Sequence, residues 1–170
     1  KFNGNYIYGY TDSMNKHVDL SDKYGGAVYS NADISAFLNN EFDSNEIYSM
    51  LSSYVTKKVY LSNKGIASAI AAYNKVIIIN NTFSNNSAAC PPINIDNGEG
   101  CIILNNTFIN NNARSLAQSI KMDGNNTFIA GNTFYMDENA VDKGYFEDQD
   151  HWEVYEVLFD GGVNNTVSYN

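Results

Sequence analysis

The segment Ile77-Ile78-Ile79-Asn80-Asn81-Thr82-Phe83 decides the fold, because the chain repeats it. It returns almost unchanged from Ile102 to Phe108, and looser copies run from Ala36 to Phe42 and from Phe128 to Phe134. The last three copies follow one another at intervals of about 25 residues, a period typical of solenoid proteins. The segments lack a 3.6-residue apolar period, so the repeat predicts one coil of stacked strands and turns.

Stacked coils place equivalent residues on top of one another, about 4.8 Å apart. The repeat therefore predicts an aromatic stack and an asparagine ladder in the interior. The phenylalanines are Phe42, Phe83, Phe108 and Phe134, and the asparagines two positions before them are Asn40, Asn81, Asn106 and Asn132. Asparagine also tolerates the left-handed backbone that corners require, so we place these four at corners.

Two adjacent apolar columns run through the copies. One contains Ile7, Phe37, Ile78, Ile103 and Ile129. The other contains Tyr8, Leu38, Ile79, Leu104 and Ala130. Neighbouring residues of a strand point to opposite faces, so we expect the first column to point inward and the second outward. We expect the outward column to be covered by an insertion or by another chain.

The match extends to both ends of the chain. Tyr6–Thr11 parallels Phe128–Thr133, and Asn164–Val167 parallels Asn125–Phe128. Residues 1–170 are thus predicted to form one domain, interrupted by insertions at about 46–64 and 142–155. Apolar residues at helical spacing predict that the first insertion is a short helix or an irregular excursion. The second insertion is acidic and aromatic.

Composition excludes several partners. The chain has 10 basic and 19 acidic residues, a formal charge of −9, which repels nucleic acid and anionic lipid. No run of 18 apolar residues indicates a membrane-spanning segment. The chain does not begin with Met, and we expect a mature piece or a fragment of a longer protein. Cys90 and Cys101 bracket a loop, either as two buried thiols or as a disulfide of an oxidising compartment.

Three elements resemble a known family. They are Gly25-Gly26-Ala27-Val28-Tyr29, the segment from Asn81 to Ala88 and the segment from Asn106 to Ala113. They are similar to the right-handed β-helix repeats of adhesin-like surface proteins, especially those of methanogenic archaea, and to polymorphic outer-membrane protein repeats. The resemblance implies an all-β, right-handed parallel β-helix of about five to six coils at the cell surface.

Because β-helices also carry polysaccharide lyases and glycoside hydrolases, we weighed catalytic residues. Arg114 has no evident basic partner, and Asp96 and Glu99 are more simply explained as solvated loop acids. His17 and His151 lack metal-ligand spacing, so we expect no metal site and no cofactor. We expect no enzyme.

Two other groups are candidate sites for glycans. Tyr145, Trp152 and Tyr155 in the second insertion can stack on sugar rings, or they pack on the solenoid instead. Sequons begin at Asn80, Asn85, Asn105, Asn125 and Asn164, although the repeat itself generates Asn-Asn-Thr.

The functional expectation is a non-enzymatic extracellular protein. It presents a binding surface to other surface proteins or glycans, or stacks head-to-tail with copies of itself into a filament. The alternatives are a polysaccharide-active enzyme and a glycan-binding module without turnover.

Overall fold

The computed structural model of the chain consists of short strands stacked in sheets. It describes residues 1–11, 26–52, 59–61, 67–88, 91–113, 117–137 and 155–170. Within these ranges there are twenty strands and no helix. All strand pairs are parallel except one. The predicted all-β class with stacked parallel strands is confirmed.

The strands, numbered in chain order, form four sheets. Sheet A contains β1 (Phe2–Asn3), β5 (Glu41–Asp43), β10 (Thr82–Ser84), β14 (Thr107–Ile109) and β18 (Thr133–Tyr135). Sheet B contains β2 (Tyr6–Thr11), β6 (Glu46–Ser52), β7 (Val59–Leu61), β11 (Ser87–Ala88) and β15 (Asn112–Ala113). Sheet C contains β3 (Val28–Ser30), β8 (Ile70–Tyr73), β12 (Ile93–Glu99), β16 (Ala117–Asn125) and β19 (Tyr155–Phe159). Sheet D contains β4 (Ile34–Leu38), β9 (Lys75–Ile79), β13 (Ile102–Leu104), β17 (Phe128–Ala130) and β20 (Thr166–Ser168).

The chain visits the sheets in a fixed order. From β8 to β15 it passes twice through C, D, A and B, and β16 to β18 continue the series. We call one such passage a level. Each strand pairs with its counterpart in the next level, as in Phe83↔Phe108 and Ile78↔Ile103.

The corners explain the asparagine pairs of the sequence. Where sheet D turns into sheet A, Asn39, Asn80, Asn105 and Gly131 have φ between 53° and 65°. This left-handed backbone is easily adopted only by glycine and, among other residues, best by asparagine. The ladder asparagine follows one residue later. Our placement of the left-handed residue was therefore wrong by one position.

The interior is a continuous apolar column. The rings of Phe2, Phe42, Phe83, Phe108 and Phe134 are stacked with centroids 4.8 to 5.0 Å apart. Aliphatic side chains of sheets C and D pack against them, including the fully buried Ile70, Ile78, Ile93 and Ile103. These side chains form one cluster that is almost fully shielded from water.

The first predicted insertion begins with a strand, which corrects the helix prediction. β6 pairs in parallel with β2 over six residues and in antiparallel with β7. Local spacing at 46–55 suggested a helix, but pairing with two neighbouring strands overrides so weak a preference. Residues 53–58 and 62–66 lie outside the described ranges, as does the second insertion up to residue 154.

Both predicted end alignments were also wrong. Tyr6–Thr11 lies in sheet B opposite β6, and the residue that continues the aromatic stack is Phe2. Ile7 and Tyr8 therefore leave the two predicted apolar columns. At the other end Thr166 pairs with Phe128, one residue away from the predicted register.

Candidate functional site

An asparagine ladder runs along the corner between sheets D and A. The backbone N–H groups of Asn40, Asn81 and Asn106 donate to the side-chain Oδ1 of the asparagine in the next level, at 2.8 to 2.9 Å. The side-chain amide of Asn106 also donates to the Ile78 carbonyl oxygen at 2.9 Å. Asn81, Asn106 and Asn132 are buried, so each amide satisfies backbone groups that water does not reach.

A second ladder, which we did not predict, runs along the corner between sheets A and B. Asn5, Asn45 and Asn86 donate in the same way to the next asparagine, ending at Asn111. Each of these asparagines lies three residues after a stacked phenylalanine. That constant offset was the signal in the sequence. The two ladders therefore flank sheet A.

The five sequons separate into two environments. Asn80, Asn85, Asn105 and Asn164 are exposed and have left-handed backbone, and in the first three the following asparagine is the buried ladder residue. Asn125 is half-buried, and its side chain bonds the Val163 amide and Glu99. A glycan acceptor and a ladder residue are thus adjacent but distinct positions.

The outer face of sheet D is apolar, and we define it by Ile34, Leu38, Ile77, Ile79, Ile102, Leu104 and Phe128. The alternation of buried and less buried residues in β4, β9, β13 and β17 directs these side chains away from the core. Ile34 is 62% exposed, Leu38 51% and Phe128 44%. Together with the small outward Ala130 of β17, this face contains the outward column predicted from the sequence, except for Tyr8.

A polar recess of about 240 Å³ lies at the corner between sheets C and D. A register shift in β12 after Ile95 pushes Asn97 outward, with φ of 55°. The recess is lined by Asp33, Asn74, Lys75, Asn97, Gly98, Glu99 and Asn125. These side chains offer carboxylates that accept hydrogen bonds, amides that both donate and accept them, and one ammonium group that donates them.

The two acids considered for hydrolysis are held by different amides. Glu99 accepts hydrogen bonds from the side chains of Asn126 and Asn125, at 2.5 and 3.3 Å. Asp96 accepts one from Asn94 at 3.2 Å and does not line the recess. Of these two acids, Glu99 is therefore the one that is placed to contact a molecule bound in the recess.

Cys101 is buried and forms no disulfide with another described residue. Its sulfur accepts a hydrogen bond from the Val76 amide at 3.3 Å, and burial raises the pKa of the thiol. Cys90 lies outside the described residues, so the disulfide between the two stays a prediction.

Several other predicted residues also lie outside the described ranges, namely Arg114, His17, His151, Tyr145 and Trp152. Tyr155 begins β19, but only its backbone is described. The described part of the chain contains no group of three His, Cys, Asp or Glu side chains that could hold a metal ion. Nor does it contain a helix long and apolar enough to cross a membrane.

Comparison with known proteins gives no relative. No family model, no curated protein and no solved structure matches the chain.

Proposed function

We propose that the chain is a right-handed parallel β-helix of about five to six coils that acts as a non-enzymatic, adhesin-like protein at the cell surface. The fixed order in which strands visit the four sheets supports a coil, because each passage returns to the strand beside the one it left. Crossovers between parallel strands are almost always right-handed, which supports the hand.

The observation that carries the functional proposal is the pair of asparagine ladders. They bond the interior backbone groups of two corners level after level, and the space between them is filled by stacked phenylalanines. Such an interior suits a rigid support. Function is then carried by the outer surfaces and by the ends of the stack.

The ends support head-to-tail association. β1 and β18 each pair with only one described strand, and Phe2 and Phe134 each stack on one described ring. Open strand edges pair readily with other strands. In the filament β18 of one copy pairs with β1 of the next, and Phe134 of one copy stacks on Phe2 of the next.

Electron microscopy and X-ray fibre diffraction at increasing protein concentration test this proposal. We expect filaments with a reflection near 4.8 Å along their axis, the spacing of stacked strands. By strand alternation the Asn3 amide points away from β5, so Asn3→Pro removes a donor from the free edge without breaking an internal bond. This variant should remain monomeric, whereas Asn3→Ala should still assemble. Monomers of the unmodified chain at every concentration would refute the filament.

The polar recess favours glycan binding as a second function. Amides and carboxylates side by side are suited to vicinal hydroxyl groups, and the space fits roughly one sugar ring rather than a drug-sized ligand. A glycan array with Glu99→Gln and, as a control outside the recess, Asp123→Asn tests this. Signal lost only in the Glu99 variant supports binding. Release of reducing ends from polysaccharides would instead indicate an enzyme.

A further inference from the structure

The outer face of sheet D differs from the outer face of sheet A, although the same levels build both. In sheet A the outward residues of the central strands are Thr82, Ser84, Thr107 and Ile109, and three of these four are polar and suit contact with water. At the same levels of sheet D they are Ile77, Ile79, Ile102 and Leu104. Strands that are apolar on both sides are typical of sheets that are covered on both faces. A contiguous exposed apolar patch marks an interaction site.

We propose that this face packs against the same face of a second copy of the chain. The partner must itself be flat and aliphatic, because the outward residues of β4, β9, β13 and β17 are apolar except Lys75 at the edge, and the terminal strand β20 adds the polar Thr166 and Ser168. Among the described surfaces, this face is itself such a partner. Self-pairing through one patch also gives a closed, two-fold symmetric dimer.

Two such faces can pair about a two-fold axis that runs either along the stacking direction or along the strands, and the charges at the edges of the face decide between these arrangements. The edge of the face toward sheet C carries Asp33, Lys75 and Glu99, whereas the edge toward sheet A carries Asn39, Asn80 and Asn105. A two-fold axis along the stacking direction places the charged edge of each copy against the amide edge of the other. An axis along the strands would oppose like carboxylates in two chains that each carry −9.

The size of the face predicts a weak dimer. The four strands that carry the face, spaced about 4.8 Å apart and each three to five residues long, give a footprint of roughly 250 Å². Stable complexes bury about 800 Å² per partner, so one pair of faces should dissociate on dilution. Two parallel stacks would add such contacts level after level, but the dimer itself does not depend on the filament.

Sedimentation equilibrium over a wide range of protein concentrations tests the dimer. We expect a monomer–dimer equilibrium for the unmodified chain and monomer for Leu38→Lys, which places a charge in the interface. Leu38 is 51% exposed, so the fold should tolerate the change. Thr82→Lys is the matched control, because it adds the same charge to the outer face of sheet A.

The variants also separate this proposal from head-to-tail assembly. Asn3→Pro should prevent filaments and leave the dimer intact, whereas Leu38→Lys should abolish the dimer and leave axial filaments one stack wide. Circular dichroism of Leu38→Lys and the milder Leu38→Ser establishes that both remain folded. Monomer at all concentrations, or a dimer that Leu38→Lys and Thr82→Lys weaken equally, would overturn the proposal.

Discussion

Two corners of the same stack provide hydrogen-bond acceptors for their backbone N–H groups in different ways. At the corner between sheets D and A, every level supplies an asparagine whose Oδ1 accepts a backbone N–H from the level before. At the corner between sheets C and D, the equivalent positions are occupied by Ser35, Val76, Cys101, Thr127 and Asn165, so only the last level supplies an asparagine, which accepts the Thr127 N–H. There the Val76 amide donates a hydrogen bond to the sulfur of Cys101. The Thr127 hydroxyl is buried without a hydrogen-bond partner. Only the first corner repeats one hydrogen-bond pattern.

Within the described residues, the sheets that border an asparagine ladder keep their register. Sheet A, flanked by both ladders, has no register shift, and sheet D has none either. Sheet C shifts in both β12 and β16. Where it shifts, the backbones of Gly98 and Gly124 approach so closely that a Cβ on Gly124 would lie 1.9 Å from the Gly98 carbonyl oxygen. Among the described strands, both register shifts therefore lie in the sheet that neither asparagine ladder borders.

The largest effect is expected from Phe108→Ala, in the sheet that both ladders flank. Its ring is buried between two others, so truncation should lower the free energy of unfolding by about 3 to 5 kcal/mol. Urea denaturation measures this. Tyr135→Ala, in the neighbouring strand but 58% exposed, should change little. A loss under about 0.5 kcal/mol for Phe108→Ala would contradict its place in the core.

Asn106→Ala tests the ladder directly. It leaves the Asn81 N–H buried and unpaired and removes one of the hydrogen bonds to the Ile78 carbonyl oxygen, which should cost about 1 to 3 kcal/mol in urea unfolding. The control is Asn40→Ala at the end of the same ladder. Asn40 is half-buried and its side chain bonds only the Leu38 carbonyl, so the loss should stay below about 1 kcal/mol. Equal losses would mean that the ladder contributes no more in the interior than at its end.

Ser84→Ala should have a small, pH-dependent effect. The Ser84 hydroxyl donates to Asp43 at 2.7 Å and lowers the pKa of that carboxyl, with help from Asn85. A lowered native pKa stabilises the fold above the unfolded value of about 3.9, and this stabilisation is lost as pH falls through the native pKa. Thermal unfolding of Ser84→Ala should therefore differ from the unmodified chain at neutral pH and converge with it in acid. In an Asp43→Asn background, the effect of Ser84→Ala on thermal unfolding should no longer depend on pH.

Thr127→Val, at the irregular corner between sheets C and D, should have the smallest effect on stability. The Thr127 hydroxyl is buried without a hydrogen-bond partner, so replacing it with a methyl group of similar shape removes a desolvation cost. We expect unchanged or slightly higher stability in urea unfolding. Destabilisation by more than about 1 kcal/mol would show that the hydroxyl is satisfied in solution and that this corner also bonds regularly.

Part of the candidate site was predictable. The stack from Phe42 to Phe134 and the ladder from Asn40 to Asn132 follow from the spacing of the repeat, and so do the inward Ile78 and the outward Ile79. The recess was not predictable, because it arises where β12 is out of register and Asn97 bulges outward. No local pattern around Asn97 indicates which neighbour β12 will follow.

The sequence by itself determined which residues stack, because a column of identical side chains is stable only in register, ring on ring and amide on amide. The tertiary structure decided what lies between the repeated columns. It made Glu46–Ser52 a strand, placed Phe2 in line with the aromatic stack, and shifted sheet C. These outcomes depend on which backbone edge is open beside a segment, and neighbouring levels supply that edge, not the segment itself.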